Sequence, residues 1–67
     1  MPKVFYLSEI LKFALEKEQQ SADLYQKLAN QVSDAKDKAV FERLVQEELG
    51  HKNKVEVLYD DIVYKEF

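Results

Sequence analysis

Apolar residues return every third, fourth and seventh position through most of the chain, and that period confines it to long amphipathic helices. Few residues can interrupt them. The chain holds one Gly and one Pro in 67 residues, and Pro2 lies at the extreme end. NQVSDAKD, residues 30–37, is the one polar, turn-forming stretch. Ser8 is a candidate N-cap, with Glu9 placed to suit the positive end of the helix dipole. Ser33 or Asp34 can cap a second helix. The expected fold is all-α: an antiparallel hairpin in one domain over residues 1–67, with helices from about 8 to 31 and about 35 to 64.

Helices of that length are roughly 35–45 Å long at 1.5 Å per residue. Each carries an apolar face that a lone hairpin leaves open. So short a chain gains little from a core of its own, and such scaffolds are usually held by disulfides, metal or self-association. There is no Cys, which excludes disulfides and thiolate-built zinc or iron–sulfur sites. Metal and self-association are left. A second hairpin is the simplest cover, giving a four-helix bundle.

Writing both helices in sevens locates the chemistry. Leu11, Glu18, Tyr25 and Val32 share one row, with Ala14, Ser21 and Leu28 beside it. In the second helix Phe41, Glu48, Val55 and Ile62 share a row, and Leu44, His51 and Leu58 the next. These rows read as the inward seam of a bundle. Glu18 interrupts the core of the first helix, and Glu48 with His51 interrupts the second. Apolar residues resume on both sides. An unpaired carboxylate in a dry core costs several kcal/mol or is driven to the neutral form. A cation removes that cost. Glu48 and His51 are three apart, so they project from one face about 4.5 Å apart along the axis.

One chain supplies two Glu and one His to this level; two chains supply four Glu and two His. Carboxylate-bridged two-metal sites in bundles use that set: one Glu from each of two helices and Glu-x-x-His from each of the other two. The charges of four carboxylates and two divalent ions cancel. Oxygen ligands with one imidazole per metal suit iron or manganese and tolerate zinc. The expectation is two iron ions per homodimer, with Mn or Zn as substitutes.

Ser21 and Ala22, one turn beyond Glu18, and Gly50 beside His51 are small residues that suit close approach there. A register shifted by one would make Glu47 the ligand. The expectation is instead that Glu47 lies outside the ligand set, paired with Lys54 or Arg43. Tyr25 is either a packed core tyrosine or a group that bonds a ligand carboxylate or relays electrons. Tyr59 and Tyr64 are expected at packing surfaces. Leu24, Val45 and Val57 fall off the inward rows and are expected to serve association beyond a dimer. Val4, Phe5, Tyr6 and Leu7 can pack against a partner chain.

Ten basic and thirteen acidic residues are interspersed, with a net charge of −3 and no basic stripe. Nucleic-acid binding is not expected. No apolar run approaches the roughly 20 residues a membrane span needs. MPKVFYLSEI lacks a signal-peptide core and cleavage site, so a cytoplasmic location is expected.

Glu18-x-x-Ser21-x-x-x-Tyr25, followed by Phe41-Glu42-x-Leu44-x-x-Glu47-Glu48-x-x-His51, resembles the ferritin-like superfamily, in particular its rubrerythrin-type branch. The thirty-residue interval between the glutamates also resembles encapsulated ferritins, two-helix subunits that dimerise to complete a ferroxidase centre. The resemblance covers roughly residues 10 to 60. It implies a ferritin-like four-helix bundle, Glu18 and Glu48 bridging or chelating iron, His51 as a terminal ligand, and Tyr25 around them; Glu47 is expected either around the ligands or at the surface. It implies ferroxidase-like oxidation of Fe(II), with Glu18, Glu48 and His51 as the catalytic ligands. Peroxide reduction is the alternative, with dioxygen or peroxide as oxidant. Full rubrerythrins carry four helices and a Cys-rich rubredoxin module, which this sequence lacks. An encapsulating shell is a further partner of encapsulated ferritins, and Tyr64-Lys65-Glu66-Phe67 does not resemble their targeting tail. The competing expectation from another class is a helical interaction module whose polar trio only fixes register.

Overall fold

The computed structural model of the chain describes residues 6–66. Two helices, α1 (Leu7–Gln31) and α2 (Ala35–Glu66), pack against each other as an antiparallel hairpin. The hairpin therefore has the expected all-α form. Val4 and Phe5, expected to pack on a partner, lie outside the described residues.

The helix ends show how the sequence sets the break. At Val32 the backbone turns extended (φ −89°, ψ 140°), and its N–H still donates to the Leu28 carbonyl at 3.2 Å. Asp34 then opens α2. Its Oδ1 accepts the backbone N–H groups of Lys36 at 2.8 Å and Asp37 at 3.1 Å. Those donors have no partner inside the helix, so the carboxylate satisfies them and its charge suits the helix dipole. The reversal needs no residue in the left-handed region. At the other end, Ser8 is not the cap. α1 starts one residue earlier, with Tyr6 at the N-cap and no side-chain cap hydrogen bond. The Tyr6 carbonyl instead accepts Glu9 N–H at 3.0 Å and Ile10 N–H at 3.3 Å.

Among the described residues the buried core consists of Ala22, Ala29 and Val45. Ala22 and Ala29 are seven apart on α1, and small side chains let the two backbones approach. Val45 comes from α2. Val45 was expected off the inward rows, and this is a correction: it is the buried residue of α2, and its row, Val45-Lys52-Tyr59, turns towards α1. The rows of Leu11 and Phe41 lie beside the seam and are half-buried. Adjacent rows on one helix are nearly equivalent in pattern, and the period does not say which of them meets the other helix. Leu24 and Val57 are exposed.

The hairpin spans 51 × 26 × 11 Å, one helix thick in its short dimension. Its radius of gyration is 15.7 Å, against about 11 Å for a compact domain of this length. Among the described residues no large side chain is fully buried, while Ile10, Phe13, Val40 and Leu58 stand at least half open or nearly so. At about 25 cal/mol per Å² of apolar surface removed from water, covering such faces is the main stabilisation left to gain. No helix among the described residues is long and apolar enough to cross a membrane.

Candidate metal centre

Glu18 stands near the middle of α1, and Glu48 and His51 stand one turn apart on α2. Antiparallel packing brings them to one level. One ligand atom from each lies within 4.8 Å of the other two. His51 Nδ1 is 3.8 Å from Glu18 Oε2 and 3.8 Å from Glu48 Oε1. Those spacings are too long for hydrogen bonds and short enough for shared ligation of a cation.

The burial is graded. The Glu18 and Glu48 side chains are 27% and 22% exposed, while that of His51 is 58% exposed. The carboxylates sit towards the seam and the imidazole at the open face. Glu18 Oε2 is buried and has no hydrogen-bond partner. A buried, unsatisfied acceptor is uncommon in folded proteins, and a charged one more so. The Glu48 carboxyl is pushed up from its ordinary value. The first cause is the Glu18 carboxyl, which hydrogen-bonds its protonated form; partial loss of water and repulsion from Glu18 add to it, and His51, when charged, opposes.

The donor set fits a hard or borderline divalent cation: two carboxylates and one imidazole, with one buried carboxylate oxygen that accepts no hydrogen bond. Among the described residues no Lys or Arg pairs with these two carboxylates, and a bound cation would supply that positive charge.

Glu47 is exposed and outside this group. Among the described residues it forms no ion pair with Lys54 or Arg43, which corrects the expected pairing. α2 rotates Glu48 inward, and its neighbour is carried about 100° away. Tyr25 is half-buried, two turns along α1 from Glu18. Gly50 is exposed, and a Cβ there would meet nothing within 4 Å. Nothing in the hairpin explains a mid-helix glycine that costs about 1 kcal/mol relative to Ala. The sequence reading missed a polar bridge beside the site. Lys52 Nζ donates to Gln19 Oε1 at 2.6 Å across the two helices. The signal was a lysine occupying the same seven-residue row as Val45 and Tyr59.

A helical hairpin that gathers Glu, Glu and His at one level across its two helices defines a ferritin-like carboxylate–histidine protein. The rubrerythrin family model matches residues 2–59, and the chain belongs to that family of ferritin-like, di-iron carboxylate proteins. Iron binding is what the family implies, and its members commonly oligomerise. No curated protein and no solved structure matches the chain.

Proposed function

We propose that two copies of the hairpin pair about a two-fold axis into a four-helix bundle, complete a di-iron site, and oxidise Fe(II) in the manner of a ferroxidase. The observation that carries this reading is the buried Glu18 Oε2, which accepts no hydrogen bond and lies at one level with Glu48 and a half-open His51. One hairpin supplies three ligand groups and an uncovered face. Its symmetry mate supplies the same three, and four carboxylates then balance two divalent ions.

Glu18, Glu48 and His51 would hold the iron, the two carboxylates supplying oxygen ligands and the imidazole one nitrogen. Iron bound there supplies the Fe(II)/Fe(III) couple, with dioxygen as first oxidant and peroxide as second. The chain's own residues hold the ions and set their spacing; none is needed as a nucleophile. Pairing buries His51 and removes water from the ligand level, which strengthens every electrostatic contact there. Tyr25 offers a hydroxyl on the same face, suited to bonding a ligand carboxylate or relaying an electron. The apolar rows of Leu11, Phe41 and Leu44 form the rest of that face, and the single domain acts in the cytoplasm as a homodimer or larger homo-oligomer.

Metal analysis and sedimentation test this together. Protein purified without chelator should carry about one iron, manganese or zinc ion per chain and sediment as a dimer. Glu48→Ala should abolish binding, and Glu47→Ala should not. Metal-free protein that is a tight dimer, with thermal stability unchanged by added Fe(II), Mn(II) or Zn(II), would establish the interaction module instead. Stopped-flow oxidation of the Fe(II)-loaded protein by dioxygen and by peroxide separates ferroxidase from peroxidase action.

A further inference from the structure

We propose that Gln19 and Lys52 form a clip that positions the metal ligands, a role resting on the di-metal reading of Glu18, Glu48 and His51. Lys52 Nζ reaches across the hairpin to Gln19 Oε1 at 2.6 Å in a partly buried seam. Lys17–Gln20, Gln19–Asp23 and Gln26–Asn30 are, by contrast, exposed and local, three or four positions apart on α1. Gln19 directly follows Glu18, and Lys52 directly follows His51. Successive helix residues differ by about 100° in direction, so the clip lies on the flank of the site rather than in it.

The rest of the seam is Ala22, Ala29 and Val45. Apolar contacts of small side chains are non-directional and tolerate sliding and rotation. A charge-assisted hydrogen bond is directional and short. Placed at the ligand level, it fixes the separation and rotation of α1 against α2 where both must present a ligand to one ion. The clip also restrains a cation. The Lys52 ammonium is held by Gln19 and faces Glu56 at 3.6 Å, and it pairs with neither Glu18 nor Glu48. Released from Gln19, it would be drawn to those two carboxylates and would compete with the metal. Both effects favour binding.

The test uses the full chain stripped of metal and titrated with Co(II), whose visible bands report ligand number and geometry. Lys52→Met keeps the aliphatic stem and removes the donor; Gln19→Ala removes the acceptor; Gln19→Glu keeps an acceptor. Lys52→Met and Gln19→Ala should each weaken Co(II) binding about 10- to 100-fold and change the visible spectrum. The double variant should be no weaker than the worse single, because the pair acts as one unit. Gln19→Glu should restore wild-type affinity and bands, which separates positioning from damage to the fold. Wild-type titration and spectra in Lys52→Met and Gln19→Ala would overturn the clip, as would a Gln19→Glu variant as weak as Gln19→Ala. Wild-type protein that binds no Co(II) overturns the di-metal reading itself, a different result from failure of the clip alone.

Discussion

Replacing Glu18 by Leu should stabilise the metal-free protein and abolish its response to metal. The magnitude follows from one atom. Glu18 Oε2 is buried without a partner, and relieving a buried unsatisfied group is worth about 1–3 kcal/mol, more when it is charged. Leu also continues the row of Leu11, Tyr25 and Val32, so no packing is lost. For a domain of this size each kcal/mol moves the unfolding midpoint by about 4–8 °C. The metal-free variant should therefore melt several degrees above metal-free wild type. Metal at 100 times its dissociation constant stabilises the wild type by about 2.7 kcal/mol through mass action, and the variant should gain nothing. The order of melting temperatures should then change between EDTA and added Fe(II) under argon, read by circular dichroism at fixed chain concentration. A metal-free Glu18→Leu protein clearly less stable than metal-free wild type would refute the reasoning. It would mean that the carboxylate contributes to the fold without a cation.

Glu48 gives a pH dependence of definite sign. Its folded pKa is raised, so the folded state binds the proton more tightly than the unfolded chain does. The resulting stabilisation of the metal-free protein is fully present below the unfolded value near 4.5 and is lost as pH rises through the raised folded value. Urea midpoints measured with EDTA from neutrality towards pH 5 should show it, and metal affinity should run the opposite way because metal and proton compete for the same carboxylate. Val45→Ala removes two methyl groups from the buried seam and should cost about 1.6 kcal/mol or more in urea unfolding. Val57→Ala, at a position 64% exposed, should stay within about 0.5 kcal/mol unless association covers it. Asp34→Ala deletes the acceptor for two backbone N–H groups and should lower thermal stability by about 1 kcal/mol, whereas Asp34→Ser should recover most of the loss.

Much of the molecule was legible in the residues because it depends on short-range geometry. The helical period set both elements. Asp34 closes the polar stretch through bonds to residues two and three ahead of it. Glu48 and His51 share a face because they are three apart on one helix, whatever else the chain does. Ser8 misled because the helix begins ahead of it, where the Tyr6 carbonyl accepts one i+3 and one i+4 backbone N–H.

What the sequence could not determine depends on how two helices are rotated against each other. Glu18 is thirty residues from Glu48, and only the hairpin register brings it within 4.8 Å of Glu48 and His51. Seven-residue rows identify an inward side, but neighbouring rows are nearly equivalent in pattern. Only packing buries Val45 in the seam and leaves Leu44 half-buried and Leu58 exposed. The same rotation turns Lys52 inward to Gln19 and Glu47 out to solvent. Local period is a property of one backbone, whereas the meeting of side chains across a seam is a property of two, and no count along one chain contains it.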